Sequence, residues 1–159
     1  MNIFSPVFRQ NEMIPPEYTC TGKDVNPALE VTGVPAEAQS LALVVDDPDA
    51  PAHTWVHWIV FNIDPATQKI DENSIPGTQG RNDFDKLNYG GPCPPSGKHR
   101  YFFKAYALDA TLGLDEGAAI EDLEKAIKGH VLEKAELVGL YQKERGGITS
   151  WQLAVSAYW

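Results

Sequence analysis

Four polar side chains carry the chemistry that this sequence can offer. Asp47 closes the apolar run Ser40 to Val45 and opens the turn DPDAP. His57 sits inside the aromatic segment WVHWIVFNI, residues 55–63, and His99 and Tyr101 lead into YFFKAYAL, residues 101–108. A histidine supplies N–H donors and a charge adjustable near neutral pH, and a tyrosine adds an O–H donor. A carboxylate beside an imidazole fixes the ring's tautomer or holds it protonated, so that the ring donates outward. Brought together, two imidazoles, a phenol and one carboxyl form a socket for a small anion, above all a phosphate monoester.

The elements that must position them are strands. All 12 prolines lie at or before Pro95, and proline fixes φ and removes a backbone donor, so the first 95 residues are expected as strands and turns. The run SLALVV reads as a strand buried on both faces, and residues 55–63 and 101–108 as two more. Side chains two apart share a face of a strand. That places Trp55, His57, Ile59 and Phe61 on one face, and His99, Tyr101 and Phe103 on another. The long turn-rich stretches between the strands are where function tends to sit. Gly90, Gly91 and Gly97 let backbone come close to a ligand, and the prolines of PCPP, residues 92–95, stiffen that loop.

After Pro95 the pattern changes. Ile120, Leu123, Ile127 and Val131 recur at helical spacing, which predicts a helix from Ala118 to Lys134, with Gly129 as its weak point. Glu136 to Lys143 reads as a last strand. Residues 145–159 hold two of the four tryptophans and follow what reads as a complete domain, residues 1–144; an appended or read-through extension is the favoured reading over a terminal strand.

Composition narrows the function. The 159 residues carry a formal charge of −9, which repels a nucleic-acid backbone and an anionic membrane surface. No apolar run reaches the roughly 18 residues of a membrane span. The N-terminus shows no export pattern, so a cytoplasmic protein is expected, with Cys20 and Cys93 as reduced thiols. A metal held by His53, His57, Asp47 and Asp49 and a Cys93–His99 nucleophile pair are the weaker readings: the first segment is extended rather than helical, and the thiol lacks a helix N-terminus to lower its pKa. The sequence from Gly91 to Lys98 is not a phosphate-binding P-loop, since its spacing is one residue too long and its prolines delete donors.

The segments DDPDAP (46–51), WVHW (55–58) and GGPCPPSGKHRYFFKAYALD (90–109) closely resemble the phosphatidylethanolamine-binding protein family, and within it the bacterial and archaeal Raf kinase inhibitor-like branch. The resemblance extends over 14–35, 79–84 and 128–143. It implies a mainly β fold, an antiparallel β-sandwich with a helix near the C-terminus. It also implies an anion pocket at one end of the sandwich, mapping to Asp47, His57, His99 and Tyr101, with Pro51, Trp55 and Pro95 as walls and Asp49 in the turn. Thr21, Val31 and Asp85 depart from the branch's usual residues. A binding module rather than an enzyme is thus expected, without cofactor or metal, for a phosphate or phosphorylated head group. A kinase or protease partner and a homodimer follow by analogy. The competing readings are an inhibitor that acts independently of the pocket and a hydrolase using Cys93 or a metal.

Overall fold

The computed structural model describes residues 1–143, so residues 145–159 and the reading attached to them lie outside the described residues. In chain order the strands are β1 (Asn2–Phe4), β2 (Leu29–Thr32), β3 (Ser40–Asp47), β4 (Trp55–Ile63), β5 (Lys69–Ile70), β6 (Thr78–Gln79), β7 (His99–Leu108) and β8 (Val131–Tyr141), with one α-helix, α1 (Ile120–Ile127), between β7 and β8. They form two antiparallel sheets. The smaller has the order β1-β2-β5 and the larger β6-β4-β3-β7-β8.

The larger sheet has a core on each face. Toward the small sheet, Leu41, Leu43, Val45, Trp58, Val60, Tyr101 and Phe103 pack with Ile3, Leu29, Val31 and Ile70. On the other face, Ala42, Val44, Val56, Ile59, Phe61 and Leu108 pack with Leu123 and Ile127 of α1. This explains why β3, at the centre, is apolar without alternation: every one of its residues is buried.

The helix is shorter than its sequence pattern predicts. It runs from Ile120 to Ile127, and the Asp122 carboxylate accepts from the Ala119 N–H at 3.2 Å at its start. Gly129 then adopts φ +82°, and the His130 N–H returns to the Ile127 carbonyl at 2.9 Å, closing the last turn. Val131, in phase with the helix, therefore begins β8, which starts five residues earlier than the expected Glu136.

Cys20 and Cys93 form a disulfide, with Cα atoms 5.4 Å apart. This corrects the expectation of two reduced thiols, and with it the cysteine argument for a reducing compartment falls away. Among the described residues no helix is long and apolar enough to cross a membrane.

Candidate functional site

Register places the site. Asp47 is the last residue of β3 and pairs with Trp55, the first of β4, while His99 opens β7 beside them. Val45 pairs with Trp58 but Asp46 pairs with Val56, so His57 is one extra residue in β4. A bulge of this kind re-aims a side chain. It turns His57 to the side of Trp58 and Val60, toward Tyr101, whereas Ile59 and Phe61 face the helix. The expectation that His57, Ile59 and Phe61 share one face is thereby corrected: simple alternation holds only where no residue is inserted. His99, Tyr101 and Phe103 do keep to one face of β7.

Asp47, His57, His99 and Tyr101 come together. The His99 Nδ1 lies 2.6 Å from Asp47 Oδ2, and the other Asp47 oxygen accepts the Asp49 N–H at 2.8 Å. The His57 ring stands edge-on to Tyr101, centroids 5.3 Å apart, and the His99 ring is stacked on Tyr101 at 6.4 Å. Asp47, His57 and Tyr101 are each 0% exposed and His99 is 7% exposed. The Tyr101 hydroxyl has no hydrogen-bond partner among the described residues.

Trp55 stands at the rim, half-buried, with His53 stacked on it at 5.5 Å and Phe84 edge-on at 5.5 Å. Pro51 is exposed in the turn after β3 and Pro95 is half-buried ahead of β7, so both prolines lie in the flanking segments. Asp49 serves the turn: it holds the Arg100 guanidinium by two contacts of 2.8 and 2.9 Å and accepts the Arg100 N–H at 3.0 Å. This fastens the DPDAP turn to β7.

The charges follow from these contacts. Burial pushes the Asp47 carboxyl up, opposed by the His99 hydrogen bond. Arg100 holds Asp49 down at about 2. Burial lowers His57 to about 4, against the opposing pull of the Gly90 carbonyl. Burial raises the Tyr101 phenol, with the Asp47 charge adding to it, so the phenol keeps its proton.

Two contributors escaped the sequence reading. The Gly90 carbonyl lies 2.7 Å from His57 Nδ1, and the Gly90 N–H donates back to the His57 carbonyl at 3.0 Å. Phe84 packs edge-on against His57 at 5.4 Å. The glycines are needed for close approach, but to protein: a Cβ on Gly90 would meet Phe84 at 2.5 Å, and one on Gly91 would meet the Tyr18 carbonyl and Asp24 at 2.5 Å. The aromatic at 84, two residues beyond the turn-forming Asn82, was the one legible signal. Behind this wall lies a cavity of about 230 Å³, lined by Phe84, Gly90, Gly91, Asp24, Lys86 and the disulfide, among others. Cys93 in the disulfide is not a thiolate, the form a nucleophile requires.

A family model described as phosphatidylethanolamine-binding protein matches residues 4–142. A UPF0098 protein of Methanothermobacter thermautotrophicus is 49% identical over 150 residues, which cover 90% of this chain and 99% of that protein. A putative phosphatidylethanolamine-binding protein homologue from Chlamydia trachomatis, known as a crystal structure, is 42% identical with a TM-score of 0.88, covering 90% of this chain and 97% of the other. The crystal structure of Escherichia coli YbcL, described as a member of the mammalian family of these proteins, is 28% identical with a TM-score of 0.84, covering 90% and 98%.

Proposed function

This chain belongs to the phosphatidylethanolamine-binding protein family, and on that footing we propose that it is a binding module for a small oxyanion, a phosphate or a phosphorylated head group, held among Asp47, His57, His99 and Tyr101. The observation that carries the reading is the Tyr101 hydroxyl, fully buried and without a hydrogen-bond partner among the described residues. An unsatisfied buried hydroxyl costs about 1–3 kcal/mol, so a fold that keeps one has a use for it. Two imidazoles pack against the ring that carries it, one of them oriented by a buried carboxylate.

Each group has a role in this reading. Asp47 accepts from Nδ1 of His99 and so directs Nε2 of that ring to the ligand. Tyr101 donates its O–H. His57 contributes its second ring nitrogen, and Trp55 forms the apolar rim with Pro51 and Pro95 beyond it. The Asp49–Arg100 clamp and the Gly90–His57 pair of bonds hold these groups in place before binding, which lowers the ordering cost. Charge-assisted hydrogen bonds contribute about 1.5–3 kcal/mol each, so two or three of them give weak to moderate affinity after the cost of association. No step in this reading breaks a bond, and the module acts by binding.

Titration with inorganic phosphate and with phosphorylethanolamine, followed on the ring resonances of His57 and His99, tests the proposal. Both rings should shift at millimolar ligand. Resonances that stay in place with both ligands would refute it.

A further inference from the structure

One stretch of chain joins the two imidazoles of the site, and a disulfide holds its middle. At its start, the Gly90 carbonyl lies 2.7 Å from His57 Nδ1; at its end, His99 opens β7. Between them, Pro92, Pro94 and Pro95 have no N–H to donate, and Ser96, Gly97 and Lys98 are exposed. Residues 92–98 belong to no strand or helix. The stretch is fastened at Cys93, bonded to Cys20, and at Pro92, whose carbonyl accepts the Cys20 N–H at 3.1 Å. We propose that the Cys20–Cys93 disulfide is a redox switch of the oxyanion site. Oxidised, it keeps the chain between the two rings in the binding geometry; reduced by a dithiol, that chain loosens and affinity for the oxyanion falls. The inference rests on the anion reading above and adds to it control by thiol–disulfide exchange.

The anchor on the far side of the bond is firm. The Tyr141 hydroxyl donates to Thr21 at 2.7 Å, and the Asp24 N–H donates to the Glu17 carbonyl at 3.0 Å. Upstream of the bond, Asp24 accepts the Gly91 N–H at 2.7 Å and Tyr89 donates to the Tyr18 carbonyl at 2.7 Å. None of these contacts needs the disulfide, so reduction acts on residues 92–98 and reaches His99 and Gly90 from either end. Among the described residues both cores are built without cysteine, so the fold outlasts the bond. The bond is also within reach of a reagent: Cys20 is exposed, Cys93 is half-buried, and both line the cavity of about 230 Å³. A thiolate of the dithiol attacks Cys20 Sγ, the Sγ–Sγ bond breaks, and Cys93 leaves as a thiolate. The second thiolate then attacks the reagent's own sulfur in the mixed disulfide, which frees Cys20 and closes the reagent into a disulfide. Two electrons pass to the protein, and the two protons shed by the dithiol end on the two cysteines.

Calorimetric titration of the whole protein with inorganic phosphate, oxidised and after reduction by dithiothreitol, tests the inference. Near-UV circular dichroism follows the buried aromatic residues in both states. The expected result is a folded reduced protein whose Kd for phosphate is raised roughly tenfold, the size of effect that ordering two side chains on binding produces. Reoxidation should restore the affinity. The Cys20→Ser/Cys93→Ser variant should bind as the reduced protein does and ignore dithiothreitol. By reciprocity, saturating phosphate should make the disulfide harder to reduce by about 30 mV, the tenfold ratio converted for a two-electron couple. Equal affinity in the two states, or a double variant that binds as tightly as the oxidised protein, would overturn the inference and leave the anion reading intact. Loss of the near-UV signal on reduction would overturn it too, since the bond would then hold the whole fold. An oxidised protein that binds no phosphate would overturn both.

Discussion

Replacing Tyr101 by phenylalanine separates a hydroxyl kept for a ligand from one kept for stability. The Tyr101 side chain is 0% exposed and its oxygen meets no hydrogen-bond partner among the described residues. Removing an unsatisfied buried hydroxyl relieves a desolvation cost of about 1–3 kcal/mol. The phenyl ring keeps its contacts with His57 and His99, so little packing is lost. For a domain of this size 1 kcal/mol shifts Tm by roughly 2–4 °C, and a gain of about 2 kcal/mol thus raises Tm by roughly 4–8 °C. Phosphate should have the opposite preference. At ten times Kd it stabilises the wild type by about 1.4 kcal/mol, and the variant by clearly less at the same concentration. Urea and thermal unfolding with and without phosphate measure both quantities. A Tyr101→Phe protein less stable than wild type by 1 kcal/mol or more would show that the hydroxyl is satisfied within the fold, and would refute the reasoning.

Other outcomes follow from the same contacts. His57 is lowered to about 4 from an ordinary 6.5, so between those values the unfolded chain binds more protons and stability rises with pH. The contribution is complete above about pH 6.5 and is lost toward pH 4, about 3 kcal/mol in all; urea unfolding of wild type against His57→Gln should isolate it, because Asp46 and Asp47 titrate in both. Cys20 and Cys93 are 73 residues apart, and opening a loop of that length costs about 4 kcal/mol by chain entropy, so Cys93→Ser should lower the urea midpoint markedly and a reducing agent should do the same to the wild type alone. Gly91→Ala places a Cβ 2.5 Å from the Tyr18 carbonyl and Asp24, so a destabilisation of about 1–3 kcal/mol is expected, with shifted His57 resonances because the neighbouring Gly90 moves.

How far the sequence reveals this molecule varies from element to element. The central strands were legible because burial on both faces leaves a continuous apolar run, as in β3, and because His99, Tyr101 and Phe103 alternate without interruption. The place of Asp47, at the end of an apolar strand, was legible for the same reason. The facing of His57 was not. Its bulge inserts one residue opposite Val45, and no residue type in WVHW marks the insertion. The small sheet was hidden because β1, β2 and β5 are only two to four residues long, too short for any period to show. Helix spacing carried past Gly129 to Val131, since apolar residues keep a common phase by chance where a left-handed glycine ends the turn. The disulfide escaped because pairing is a matter of distance in space, and the two cysteines lie in loops whose approach depends on Gly91 and the Tyr18 carbonyl. Gly90 entered the reading as a glycine near a ligand, whereas its part is played by its carbonyl, a group every residue possesses.

The account's central claim is that Tyr101, flanked by His57 and His99, keeps its hydroxyl for an oxyanion. A crystal structure of the protein grown with millimolar phosphate tests this most directly. The account predicts a tetrahedral anion bonded to Tyr101 Oη and to the ring nitrogens that His57 and His99 do not use for Gly90 and Asp47. A Tyr101 hydroxyl bonded instead to a protein group, with no anion between the two rings, would contradict it.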